Sequence, residues 1–288
     1  MITPASMAQM NGSGNKIVVV DMRGRHDRIT SEAVCSLALT NEMTFDQMMA
    51  IYDSEDKNTD YYIEIRNKNG SLAEACGNGM RCVAEWLYIR EQRTSFIFDT
   101  AGGMICTQRL PNGMISVDMG NPRWNWQDIP LAVEIKDTNH VALQCGLLVD
   151  ASLVSMGNPH AIFIVENSVA DYNLEDYGPQ LECDPMFPKG ANISIVRVTS
   201  RDSVDLRTWE RGVGLTDACG TAACASVVAT CRRLLTKRQV LVTLPGGKLY
   251  ISWKKNNHVI MTGPTQYECS GLFNLITGNH IPHRLAKG

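Results

Sequence analysis

The 288-residue sequence has no apolar run approaching the roughly 18 residues that a helical membrane span needs, which argues against membrane association. It has no basic run either. Its 27 Lys and Arg residues stand against 30 Asp and Glu, for a net charge of −3. A nucleic-acid surface needs a basic stripe, so that partner class is set aside. None of the ten cysteines forms a CxxC pair, and ten in 288 is far below the density of a disulfide scaffold. The opening stretch, MITPASMAQMNGSGNK, lacks the basic start and apolar core of a secretory signal. Reduced thiols in a cytoplasmic protein are therefore expected. No low-complexity segment is present, and only the first dozen residues read as a loose tail. The remainder, 44% hydrophobic and 20% charged, is ordinary for a soluble globular chain long enough for one large or two medium domains.

Short β-branched or aromatic stretches predict strands at Lys16–Asp21, Tyr61–Arg66, Ser95–Asp99, Ala161–Val165, Ile193–Val198, Val240–Leu244 and Leu249–Trp253. Helices are predicted over Glu32–Leu39, Asp46–Tyr52, Gly77–Arg90 and Gly220–Leu235. This mixture indicates an α/β or α+β fold. Beneath it runs a repeat. CGNGMRC begins at Cys76 and CGTAAC at Cys219, and 219 − 76 = 143. Gly14-Asn15 before KIVVV returns at the same offset as Gly157-Asn158 before PHAIFIV. Gly120 returns as Gly263, and Gly102-Gly103 one residue later as Gly246-Gly247. Four matches in order at one offset predict two pseudo-symmetric domains from an internal duplication. They are expected at residues 1–120 and 121–264, with 265–288 as a closing tail packed on the first.

In both copies the order is strand, turn, Cys-Gly, helix. A helix start offers unpaired amides and the positive end of the dipole, which can lower a thiol pKa from about 8.5 toward 7. Glycine after the cysteine lets a ligand approach the backbone. Packing the two copies about a pseudo-twofold axis would bring both thiols to one cleft. A matched pair of this kind suits inversion of a stereocentre, with a base on one face of the carbon and an acid on the other. The amides of two helix starts could stabilise the carbanion, at about 3 kcal/mol per well-placed donor. Cys76 and Cys219 are thus the candidate acid/base pair. Cys35, Cys82, Cys106, Cys145, Cys224, Cys231 and Cys269 read as core filler, and Cys183 is left open. The gaps of CxxxxxC and CxxxxC do not fit a zinc knuckle, so no metal site is expected.

These motifs are similar to those of the diaminopimelate epimerase family, cofactor-independent enzymes that interconvert LL- and meso-diaminopimelate. The resemblance rests on GSGNKIVVVD, FDQ at 45–47, EACGNGMRC at 74–82, SVDMGNP, SMGNPHAIFIV, FPKGANISIV, WERGVGLTDACGTAACA and PGGKLYISW, in the family's order from about Met10 to Gly271. It implies two like domains with the active site between them, an amino-acid substrate and no cofactor. The oligomeric state stays open, with a homodimer as one option. By the family's convention Cys219 is the proton acceptor and Cys76 the donor in the LL-to-meso direction. Substrate contacts fall on Asn15, Gln47, Asn67, Gly77, Asn78, Asn158, Asn192, Glu210, Arg211, Gly220 and Thr221, while His160 and Glu210 resemble the pair that tunes the thiols. The backbone amides of Gly77, Asn78, Gly220 and Thr221 suit the reacting carboxylate, and Arg211 can fork onto the distal one.

Without that resemblance, Asn15 and Asn158 would be turn residues, His160 a loop histidine and Glu210-Arg211 a solvated ion pair. The sequence departs from the commoner pattern at Asn11, Lys16, the 41–44 loop, Cys183, Lys189, Leu215 and Ala222, which bears on loop geometry and efficiency. The nearest alternative is another cofactor-independent racemase or isomerase of this fold, acting on proline, hydroxyproline or histidine.

Overall fold

A computed structural model of the protein describes residues 3–40, 43–73 and 76–282. Glu74 and Ala75 at the head of the first cysteine motif, Asn41 and Glu42 of the 41–44 loop, and the last six residues of the closing tail lie outside the described residues. The chain divides into two compact units: residues up to Val117 together with those from Gly263 on, and Asp118–Thr262.

The first unit contains β1 (Ala5–Gly12), β2 (Asn15–Asp21), α1 (Ser31–Ala38), β3 (Gln47–Asp53), β4 (Tyr61–Asn67), β5 (Leu72–Ala73), α2 (Gly77–Glu91), β6 (Ser95–Asp99), β7 (Ile105–Arg109) and β8 (Ile115–Asp118). β1 and β2 are antiparallel and β2 and β3 parallel. β3 and β4 are antiparallel, and β4 pairs with β5 and, in parallel, with β6. β6, β7 and β8 form a meander.

The second unit repeats this order with β9 (Ala151–Ser155), β10 (Pro159–Val165), α3 (Leu174–Glu182), β11 (Asn192–Ser200), β12 (Ser203–Glu210), β13 (Gly214–Thr216), α4 (Gly220–Arg232), β14 (Gln239–Leu244), β15 (Gly247–Trp253) and β16 (Val259–Gly263). Each pairing recurs with its direction: β9–β10 antiparallel, β10–β11 parallel, β11–β12 antiparallel, β12 with β13 and in parallel with β14, then the β14–β15–β16 meander. The fold is a duplicated α/β unit. β17 (Gln266–Phe273) then pairs with β1, and β18 (His280–Pro282) with β17.

Helices cover both faces of the central strands. Val18, Val20, Met48 and Ala50 pack in one core with Ala33, Val34 and Leu37 of α1. Alternate residues Ile17 and Val19 point the other way, where α2 lies on β1, β2 and β3. In the second unit Leu153, Phe163, Ile193 and Ile195 pack with Leu174 and Leu181 of α3, while α4 lies on β9, β10 and β11.

This two-sided burial corrects the reading of Asp46–Tyr52 as a helix. Met48–Tyr52 are all buried in a strand between β2 and β4, and a strand covered on both faces shows no alternation. The loose tail is also corrected. β1 is sandwiched between β2 and β17, with Met7, Ala8 and Met10 fully buried. α4 ends at Arg232, three residues before the expected Leu235, and Leu234 has a left-handed φ of 61°. Two of the seven expected core cysteines are exposed: Cys106 falls on an outward-facing position of β7, and Cys269 lies in the first half of β17, where all four residues are exposed. Cys82 and Cys224 are buried. No described helix is long and apolar enough to cross a membrane.

Candidate active site

In the first unit, the pairing register gathers the polar candidates at one edge of the sheet. Asn15 opens β2, Gln47 opens the parallel β3, and Asn67, opposite Gln47, closes the antiparallel β4. Gln47 Nε2 donates to Asn67 Oδ1 at 3.0 Å, and Asn67 Nδ2 donates to Ser71 Oγ at 3.0 Å. Asn15 follows Gly14, whose φ of 95° needs glycine in this turn. The same turn recurs at Gly157, φ 93°, before Asn158.

Cys76 is the N-cap of α2. Its half-buried sulfur accepts the Gly79 N–H at 3.2 Å, and its S–H donates to Asn15 Oδ1 at 3.9 Å. The helical ladder begins with Met80 N–H to Cys76 C=O, so the Gly77 and Asn78 amides precede it. A Cβ at Gly79 would sit 2.5 Å from Met49 Cε, so the tip of that methionine would have to move. Beneath this turn the fully buried Arg81 donates to Asn78 Oδ1 at 2.9 Å and to Ser13 Oγ at 3.1 Å. It joins the helix start to the turn that carries Asn15.

In the second unit Asn158 precedes β10, Asn192 opens β11 and Glu210 closes β12, the same edge by the same register. Cys219 is the N-cap of α4, but its side chain makes no cap hydrogen bond. The sulfur lies 3.4 Å from Thr221 Oγ1 and also meets the Glu210 carboxylate, whose Oε1 accepts from Thr216 Oγ1 at 2.6 Å. The expected lowering of this thiol's pKa is reversed. Burial first, and Glu210 second, push it well above the ordinary thiol range, and the Thr221 hydroxyl and the Ala222 amide oppose without offsetting. Removing a thiolate from water and placing it beside a carboxylate outweighs the helix start.

His160 is fully buried on β10 beside Asn192, not on a loop. Desolvation, then the Arg211 charge, lower its pKa to about 3, so its ring is neutral. Asn192 is 3% exposed. Its Nδ2 donates to the Pro159 carbonyl and its Oδ1 accepts the Arg211 N–H, both at 3.0 Å. Each end of that amide keeps a second hydrogen-bonding position. Arg211 is exposed, with Nη1 donating to the Lys189 carbonyl at 3.1 Å. Gly220 is buried and Thr221 half-buried in the first turn of α4, whose ladder begins with Ala223 N–H to Cys219 C=O.

Three supporting residues escaped sequence reasoning. Asp46 Oδ2 accepts from Asn15 Nδ2 at 3.2 Å and from the Lys16 N–H at 2.8 Å. Arg81 carried a signal, as the one charged residue of CGNGMRC, but its partner in the repeat is Cys224 and the offset hid it. Thr216 carried none. Among the described residues no three His, Cys, Asp or Glu side chains gather as a metal site.

The duplicated fold is shared by a PhzF-family protein and by a hydroxyproline epimerase. A phenazine biosynthesis protein of the PhzF family from Enterococcus faecalis superposes with a TM-score of 0.66 at 13% identity, over 94% of this chain and 100% of its own. A hydroxyproline epimerase from Agrobacterium vitis gives 0.66 at 11% identity, over 97% and 92%. Within that fold the sequence is more specific. The diaminopimelate epimerase family model matches residues 7–125 and 152–268. The chain is 52% identical over 283 residues to the diaminopimelate epimerase of Brucella canis, covering 96% of this chain and 93% of the relative. It is 53% identical to that of Brucella anthropi, over 96% and 94%. The chain belongs to the diaminopimelate epimerase family.

Proposed function

We propose that this protein interconverts LL- and meso-2,6-diaminopimelate by moving the α-proton between Cys76 and Cys219, serving lysine and peptidoglycan precursor synthesis. The observation that carries the reading is a cysteine at the N-cap of the corresponding helix in each repeat, in a chain 52% identical to a diaminopimelate epimerase. In the LL-to-meso direction the Cys219 thiolate takes the α-proton and becomes a thiol, leaving a planar carbanion. The Cys76 thiol protonates the opposite face and becomes the thiolate. The amides of Gly77, Asn78, Gly220 and Thr221 hold the reacting carboxylate and spread its growing charge. Asn15, Gln47, Asn67 and Asn158 orient the α-carbon, and Glu210 and Arg211 pair with the charged groups of the substrate. Asn192 acts through the Arg211 backbone. No step calls for a cofactor.

Burial and Glu210 favour the protonated form of Cys219. A protonated Cys219 is the proton donor of the meso-to-LL direction, in which Cys76 takes the α-proton. A reducing cytoplasm keeps both thiols in use, and a homodimer completes the reading: sedimentation velocity should give twice the 31.8 kDa chain mass. The deciding experiment is incorporation of solvent deuterium at the α-carbon of LL-diaminopimelate by purified protein. Exchange with formation of the meso isomer is expected. Exchange into proline or hydroxyproline with none into diaminopimelate would favour the other isomerases of this fold.

A further inference from the structure

A hydrogen-bond chain leads from the core of the second unit to the Cys219 sulfur. His160 Nε2 lies 3.0 Å from Asn158 Oδ1, Asn158 Nδ2 lies 3.3 Å from Thr221 Oγ1, and Thr221 Oγ1 lies 3.4 Å from Cys219 Sγ. The buried, neutral imidazole has one N–H to place. Its Nδ1 is enclosed without a hydrogen-bond partner, and a buried orphan N–H is tolerated less well than an under-used acceptor. The proton therefore sits on Nε2 and is donated to Asn158 Oδ1. That orientation turns the Asn158 NH₂ toward Thr221. Thr221 Oγ1 accepts it, and the single hydroxyl hydrogen is left for the sulfur.

We propose that the Thr221 hydroxyl donates a hydrogen bond to the Cys219 thiolate, and that Asn158 and neutral His160 are positioning residues that fix its direction. Each protonation state of Cys219 then has its own partner. The thiol donates its S–H to the Glu210 carboxylate, and the thiolate accepts the Thr221 O–H. This assigns the Thr221 side chain a task separate from that of its backbone amide, and it makes His160 a donor rather than a titrating base. His160 has no counterpart in the first repeat, where the matching position, 17, is isoleucine. The inference rests on the proposed reaction only where turnover is read, because the thiol can be titrated directly.

The test uses the full chain with Cys76→Ala, so that one of the paired thiols remains, and follows iodoacetamide labelling of Cys219 by peptide mapping at a fixed pH below its midpoint. Thr221→Val removes the hydroxyl but keeps the amide. It should slow labelling about tenfold, equal to about one unit of thiol pKa, and Thr221→Ser should recover most of the loss. With Cys76 restored, kcat should fall in Thr221→Val by a similar factor and recover in Thr221→Ser. His160→Gln keeps a neutral N–H donor and should label faster than His160→Leu. Labelling unchanged in Thr221→Val, or His160→Gln as slow as His160→Leu, would overturn the inference, the latter by requiring an ionisable ring. Labelling as expected without exchange at diaminopimelate would overturn the reaction and leave the hydrogen-bond chain standing.

Discussion

Cys76 is half-buried and closes the first turn of its helix through the Gly79 amide, whereas Cys219 is 5% exposed and closes no turn. The third helical position is glycine in α2 and alanine in α4, and the sulfur meets neutral Asn15 in one unit and the Glu210 carboxylate together with Thr221 in the other. The backbone placement of the thiol has been kept through duplication while its electrostatic surroundings have diverged. That difference suits the task. A two-base epimerisation needs one thiolate and one thiol at any moment, and two identical sites would leave the choice to chance. In the proposed reaction, the burial and carboxylate around Cys219 favour its protonated form.

The largest effect should come from removing either sulfur. Cys76→Ala and Cys219→Ala each delete half of the proton transfer, worth about 10²–10⁴-fold in rate, and epimerisation measured by chiral separation should fall by at least that. Retention of full activity in either would dissolve the pairing on which the comparison rests.

Next in size is acid sensitivity, which should belong to the second unit because the buried His160 has no counterpart in the first. Its folded pKa of about 3 lies below the ordinary 6.5, so the unfolded chain binds the proton more readily. The stabilisation is complete above pH 6.5 and is lost progressively as pH falls toward 3, at about 1.4 kcal/mol per pH unit. Urea midpoints should therefore decline between pH 6.5 and 4.5, and His160→Gln should flatten the decline. An equal slope in that variant would assign the acid sensitivity elsewhere.

How much of this could be read from the chain depends on the kind of information each feature carries. The duplication was legible because its markers are backbone requirements: Gly14 and Gly157 hold positive φ in equivalent turns, and each Cys-Gly sits where a strand gives way to a helix. β3 was not, because QMMAIYD is rich in good helix formers and its burial on both faces removed the alternation of a strand. β1 was hidden because ASMAQMNG contains no β-branched or aromatic residue, although it pairs with the adjacent β2 as well as the distant β17. At the site, residue types and order were visible, but not the sign of the Cys219 shift. That sign depends on Glu210 and burial, which no spacing reveals.

A smaller change should follow from neutralising the residue that makes the surroundings unlike. Glu210→Gln removes the carboxylate that raises the Cys219 pKa, so the sulfur should ionise more easily. The pH midpoint for alkylation of Cys219 should fall by about one unit, with Cys76 labelling unchanged. If it stays, burial alone sets the shift and the two sulfurs differ only in depth.

The smallest effect tests the cap itself. Cys76 satisfies an otherwise unpaired first-turn amide, and losing an N-cap acceptor costs about 1 kcal/mol. Serine offers an oxygen in the same place, so Cys76→Ser should exceed Cys76→Ala in urea stability by about that amount. At position 219 the sulfur makes no cap hydrogen bond, and Cys219→Ser should gain no such margin over Cys219→Ala. The Ala222 amide, which stands where Gly79 does in α2, acts on the sulfur without forming a cap hydrogen bond. The contrast between the two Ser-minus-Ala differences isolates the cap from the volume of the lost sulfur, because both comparisons remove it. Equal differences at the two positions would mean that both helix starts use their cysteine alike, and that the distinction between the units lies in charge alone.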